Sequence, residues 1–193
     1  MVKSIGENDK GIDLFPEYGT LYQLVSKEAN GLTDTQLDFE SDQWGWSEWS
    51  IRRQLSHMAS LIYRWMLLRW GDVLFPDGNH GINDIKGIAQ SKFDRRMDED
   101  IYWDIDAILI KLQESIGLAS QVLNGRTVGF LRQHTFTMEF NPQWELMIKA
   151  HSSGITRLPD PKSAHITLEA TMRHMYFEEI THLYNIQRLR RAQ

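Results

Sequence analysis

The chain has 193 residues, 41% apolar and 24% charged, with a formal charge of −5. This composition supplies material for one hydrophobic core and argues against disorder, and the acidic balance with scattered basic residues argues against a nucleic-acid footprint. With no cysteine, disulfides and thiolate ligation are excluded, so any metal must be held by nitrogen and oxygen; the absence also fits a cytoplasmic protein.

Met1 to Asp13 is polar and lacks the apolar centre of a signal peptide, and no segment approaches about 18 uninterrupted apolar residues. Neither a secretory leader nor a membrane span is expected. Phe15-Pro16-Glu17 then opens a stretch with Leu21, Leu24, Val25 and Ala29 at helical spacing, which predicts a first helix ending near Gly31. Thr33 to Leu37 reads as a short helical turn. The aromatic loop Trp44-Gly45-Trp46-Ser47-Glu48-Trp49 follows, and Ser47 or Ser50 can cap the next helix.

That second helix is expected from Ile51 to about Trp70, with Ile51, Leu55, Ala59, Ile62 and Met66 as its main apolar face. His57 lies nearly opposite, on a side shared with Ser50, Leu61, Arg64 and Leu68, so the helix is expected to pack on both sides with His57 toward a groove or cavity. Gly71 to Met97 is too rich in turn residues for a long regular element. It predicts a lid-like loop with short helical turns, in which His80 sits between Asn79 and Gly81. A third helix runs from about Asp100 to Leu123 on Ile101, Ile105, Ile108, Leu109, Leu112, Ile116 and Val122, stopping at Asn124-Gly125.

Thr135 to Ile155 leaves two readings open. Phe136, Met138 and Phe140 alternate as a strand would, whereas Trp144, Met147 and Ile148 suit a helix or a strand. A mixed insertion is expected there, closed by Leu158-Pro159-Asp160-Pro161, with the last helix starting near Ser163. Four long helical patterns in a single domain, 1–193, predict an all-α fold: an up-and-down four-helix bundle with a long crossover and a mixed insertion before the last helix.

The last helix carries the chemistry. His174, Glu178 and His182 are four residues apart, and each step of four advances only about 40° around a helix, so they form one stripe. Extended in both directions the stripe runs from Thr167 and Thr171 to Asn185 and Leu189 without a Lys or Arg, while Arg173, Arg188, Arg190 and Arg191 project elsewhere. It is therefore expected to face inward. A carboxylate and two imidazoles turned inward are costly unless hydrogen-bonded, neutralised or bound to a cation. With His57 they make a metal-capable set; a polar strip satisfied by its neighbours is the competing reading.

Glu179-Ile180-Thr181-His182 fits the Glu-x-x-His pattern of di-iron bundles, but its counterpart Gln54-Leu55-Ser56-His57 lacks the carboxylate, which disfavours a di-iron centre. Trp46, Arg53, Arg64 and His80 are candidate pocket residues, the two arginines for an anionic substrate beside His57. Packing for the tryptophans and salt bridging for the arginines are the plainer alternatives.

The run from Gly31 to Leu37, through Trp46-Ser47 into Ser50 to Met58, together with His174 to Asn185-Ile186, resembles the DinB-like four-helix-bundle superfamily over most of the chain outside the two insertions. The resemblance implies one histidine ligand from the second helix, His57, and a final ligand, His182, with Asn185-Ile186 standing where the family carries a Gln-Ile or His-Ile pair. Glu178 occupies the position four before His182, where the family pattern has histidine, and His174 one turn earlier is the alternative third ligand. Replacing an imidazole with a carboxylate removes one unit of positive charge, so a bound water or thiol would be less acidified. The set suits zinc, nickel, iron or manganese.

The resemblance further implies a divalent-metal-dependent enzyme acting on a small-molecule substrate. Family members include thiol-dependent S-transferases and a thiol-dependent isomerase, so activation of a low-molecular-weight thiol, or of water for hydrolysis, is expected. Asn185 is the expected orienting residue behind the ligands, and a homodimer is expected from the family. A non-catalytic, stress-associated metal-binding or scaffold protein is the alternative expectation.

Overall fold

A computed structural model describes residues 4–139, 141–160 and 162–193; Phe140 of the alternating run and Pro161 of the closing segment lie outside the described residues. The chain divides into two compact units, one formed by residues 17–120 with 177–193 and the other by the residues through Pro16 with 121–176.

The larger unit begins with α1 (Tyr18–Ala29), whose Tyr18, Leu21, Val25 and Ala29 are buried at steps of three and four while Leu24 stays exposed. The short α2 (Asp34–Leu37) is closed by a capping box: the Thr33 hydroxyl accepts from the Gln36 amide, and the Gln36 side chain accepts from the Thr33 amide. Ser50, rather than Ser47, caps α3 (Ile51–Tyr63), accepting from the Arg53 amide at 3.3 Å.

Every residue of α3 except Arg53 is buried, as expected for a helix packed on both sides. Ile51, Leu55, Met58 and Ile62 are fully enclosed, each contributing roughly 1.5–3 kcal/mol. The other side of α3 is tied to the segment 95–103. Met97 donates its amide to Ser56 Oγ at 3.1 Å, the Arg95 carbonyl meets His57, and the Arg52 guanidinium donates to the Trp103 carbonyl at 2.6 Å.

The second helix does not stay regular to Trp70. At Arg64 it widens into a π-helical turn, Arg64–Arg69, with the Trp70 amide reaching back five residues to the Trp65 carbonyl at 3.0 Å. Such turns insert a residue into a helix and recur at functional sites. The expected loop follows, broken by α4 (Gly71–Leu74) and α5 (Ile85–Ala89). Next comes α6 (Ile105–Gly125), which starts later than the sequence pattern suggests because Asp104 accepts from the Ala107 amide at 3.0 Å and acts as its cap.

The other unit corrects the all-α expectation. It holds α7 (Val128–Gln133), α8 (Pro142–Ala150) and a three-stranded antiparallel sheet in the order β1-β3-β2, with β1 at Thr135–Glu139, β2 at Ile155–Arg157 and β3 at Ser163–Thr167. Phe136 faces Ile166 across one ladder and Ile155 faces Ile166 across the other. The fold is thus mostly helical with a small sheet.

The last helix, α9 (Leu168–Arg191), consequently begins at Leu168 and not near Ser163. Ala164 and Ile166 are fully buried in period-two alternation, and pairing on both edges holds this segment as a strand. Thr167 ends the strand and serves the helix as well, its hydroxyl accepting from the Ala170 amide at 3.1 Å. Among the described residues, no helix is long and apolar enough to cross a membrane.

Candidate metal centre

His57, Glu178 and His182 all belong to the larger unit. Each offers one ligand atom, and these atoms lie within 4.8 Å of one another, so the group could hold a metal ion. His182 Nε2 is 3.7 Å from Glu178 Oε2, and the two imidazole centroids are 4.4 Å apart at a tilt of 49°. Tetrahedral coordination at about 2.0–2.2 Å separates ligand atoms by roughly 3.4 Å, so these atoms would have to draw together to close on one ion.

The hydrogen bonds behind the histidines decide which nitrogen each presents. His57 is 2% exposed, and its Nδ1 lies 2.9 Å from the Arg95 carbonyl oxygen. A carbonyl only accepts, so Nδ1 donates and Nε2 keeps its lone pair. That Nε2 is buried without a hydrogen-bond partner among the described residues, which is what an inward-facing ligand atom looks like before a cation is added.

His182 is set by the same logic through Gln54. The Gln54 amide nitrogen donates to the carbonyls of Trp49 at 3.2 Å and Trp46 at 3.5 Å, which leaves Oε1 facing His182 Nδ1 in a close hydrogen bond. Nδ1 of His182 therefore donates and Nε2 faces Glu178. Such partners behind metal-binding histidines fix the tautomer and ring orientation.

The electrostatics favour a neutral His57. Burial pushes His57 well below the usual imidazole range, and the neighbouring His182 and Arg64 add to the effect. A neutral imidazole is the form that binds a cation. Glu179, next to Glu178, is wholly enclosed; burial, with Glu178 adding to it, lifts its carboxyl well above the usual range. Burial thus favours the neutral form of Glu179.

Trp49 walls the site, its ring 5.1 Å from His57 and 6.2 Å from His182, with the Arg95 and Arg96 guanidinium groups over it at 5.2 Å and 5.0 Å. Arg95 adopts a left-handed backbone conformation with φ of 53°. The turn is held by Ser91, whose hydroxyl donates to the Arg96 carbonyl at 2.6 Å, and it aims the Arg95 carbonyl at His57.

The remaining candidates fall in different places. Asn185 lines a cleft of about 180 Å³ with Gln54, Trp49, Arg95 and His182. His174 is outside the metal-capable group; it is buried in the other unit, its ring 4.6 Å from that of Trp144. Trp46 stacks on Trp44 at 4.9 Å and supplies a carbonyl to Gln54. Arg53 is committed to Glu40 at 2.7 Å and Glu99 at 3.2 Å. His80 accepts from the Ile82 amide at 3.1 Å and packs edge-on to Phe75.

Sequence reasoning passed over Gln54, Trp49 and Arg95 as site residues. Gln54 had a signal, since it lies three residues before His57 on the same helix; a backbone carbonyl has none. No family model, curated protein or solved structure matches the chain. What fold and site define together is a mostly helical protein with a two-histidine, one-carboxylate cluster suited to a cation.

Proposed function

We propose that this chain is a DinB-like protein of the four-helix-bundle type, in which His57, Glu178 and His182 hold one divalent cation of the zinc, nickel, iron or manganese group. Its four longest helices, α1, α3, α6 and α9, are those the bundle reading requires. The observation that carries the metal reading is the orientation of both imidazoles: carbonyl oxygens of Arg95 and Gln54 each face an Nδ1, and both Nε2 atoms are left for the cation.

Such a cation supplies Lewis acidity, for activating a low-molecular-weight thiol in S-transfer or water in hydrolysis. The chain's own residues do the positioning. Gln54 and the Arg95 carbonyl hold the Nδ1 protons, Trp49 shields the imidazoles from solvent, and Glu178 neutralises one unit of the cation's charge. With no cysteine in the chain, no side-chain thiolate competes for that position. One observation favours a non-catalytic metal-binding role instead: a cleft of about 180 Å³ is smaller than the roughly 300–1,000 Å³ of most small-molecule sites.

Metal content after incubation with zinc, nickel, manganese or iron under reducing conditions tests the proposal. Stoichiometric uptake is expected for wild type and His174→Ala, with affinity about tenfold or more lower in His57→Ala, His182→Ala and Glu178→Ala. Equally low uptake by wild type and variants contradicts it. Screening loaded protein with thiols and electrophiles then separates enzyme from binding protein, since retained metal without turnover favours the second.

A further inference from the structure

The cleft that reaches His182 carries two opposite charges that are not paired with each other. Arg95 and Glu48 both line it, together with Trp49, Gln54 and Asn185. Among the described residues the Glu48 carboxylate makes no hydrogen bond or ion pair, and the Arg95 guanidinium pairs instead with its chain neighbour Asp94 at 3.1 Å. Those two side chains are 58% and 68% exposed, so their pair is worth little and exchanges readily. Contact with the Trp49 ring, 5.2 Å away, keeps the Arg95 guanidinium at the cleft. The other arginines nearby stand outside its wall: Arg53 and Arg96 are held by Glu99 at 3.2 Å and 2.7 Å, and Arg64 donates to the Ser60 carbonyl at 3.4 Å.

Asn185 belongs to the same wall. The resemblance implied that it orients the ligands from behind, yet the Arg95 carbonyl and Gln54 already hold the two Nδ1 atoms. Asn185 lines the cleft three residues after His182, on the neighbouring turn of α9, and among the described residues its amide makes no hydrogen bond. Gln54, by contrast, is spent at both ends of its amide. The polar groups left for an occupant are therefore one guanidinium, one carboxylate and one amide.

A base and an acid that share a cleft without pairing match a molecule that carries both charges itself. A carboxylate fits the guanidinium fork in two parallel hydrogen bonds, and a primary ammonium donates to a carboxylate and to an amide oxygen. We infer that the cleft takes a small α-amino acid, its carboxylate on Arg95 and its ammonium on Glu48, with Asn185 adding an amide contact. The volume of about 180 Å³ suits a molecule of a few heavy atoms and not a peptide or a nucleotide. This names an occupant for the cleft beside the proposed cation, but its two charged contacts do not rest on the metal reading.

Titration with L-alanine, followed by the Trp49 indole N–H resonance of nitrogen-15-labelled protein and assigned with Trp49→Phe, tests the inference on zinc-loaded and metal-free samples of measured metal content. L-Alanine should shift that resonance saturably, whereas propionate and ethylamine, which each carry one of its charges, should bind about tenfold or more weakly. Arg95→Gln and Glu48→Gln should each weaken L-alanine to a similar degree. Arg95→Gln keeps the backbone carbonyl on His57, so its zinc uptake should match wild type, and Arg53→Gln should bind L-alanine as wild type does. Asn185→Ala should cost a few-fold. Propionate or ethylamine binding as tightly as L-alanine, undiminished binding to Arg95→Gln or Glu48→Gln, or no shift of Trp49 by L-alanine in either form overturns the inference. Binding that depends on Arg95 and Glu48 in a protein that takes up no zinc would keep it and overturn the metal reading.

Discussion

Gln54 shows how a neutral side chain can decide what a histidine does. Its amide nitrogen is claimed by two tryptophan carbonyls, so its oxygen has one direction left, and that direction sets the His182 proton on Nδ1. Replacing it with leucine keeps the apolar bulk and removes the acceptor. Gln54→Leu should lower metal affinity roughly 10- to 100-fold, and Gln54→Glu should lower it less, because a carboxylate still accepts from Nδ1 although it loses the donation to the Trp46 and Trp49 carbonyls. Competition with a chromophoric chelator measures both, and a Gln54→Leu protein that binds as tightly as wild type removes the orienting role. The clustering of His57, Glu178 and His182 could be singled out in advance because residue type and a spacing of four both survive in a sequence. The Arg95 carbonyl could not, since its identity lies in a left-handed turn and not in the side chain.

At the scale of elements, the junction between β3 and α9 is where local pattern and structure part. Thr167, Thr171 and His174 continue the helical spacing of the last helix, and that pattern suggests a helix from near Ser163. The strand wins because Ser163–Thr167 finds partners on both edges, one of them almost thirty positions earlier, which no local window contains. Gly154 makes the packing there possible. It sits at φ of 81°, and a Cβ would lie 2.2 Å from the Thr167 hydroxyl oxygen. Gly154→Ala should destabilise the protein by at least about 1–2 kcal/mol from the backbone conformation alone. Urea unfolding reads the shift, and an unchanged midpoint would mean that the Gly154–Thr167 approach is not as close as described. The long helices, by contrast, were legible with ends moved by a few residues, because their burial follows their own periodicity.

For the molecule as a whole, acid stability depends on carboxylates held by arginines. Glu169 is almost fully buried and accepts from Arg132 at 2.7 Å and Arg173 at 2.5 Å. Burial alone would raise its carboxyl, but the hydrogen bonds and charges of the two arginines outweigh burial and hold it below the usual 4.5. A carboxyl lowered by folding binds protons more readily in the unfolded chain. Its stabilisation is therefore fully present above about pH 4.5 and is lost as pH falls through the lowered folded value. Glu169→Gln should cost about 1–3 kcal/mol at pH 7 and less as the pH drops below 4.5. Unfolding curves across that range check it, and a cost that does not change with pH contradicts the assignment.

The most direct measurement of the metal centre is a long-range proton–nitrogen NMR correlation of the histidine rings, recorded with and without zinc. His57 and His182 should both carry the proton on Nδ1, and zinc should move their Nε2 resonances while leaving His174 in place. Protons on Nε2 in the metal-free protein, or zinc shifts at His174 in place of His57 and His182, would contradict a cation held by His57, Glu178 and His182.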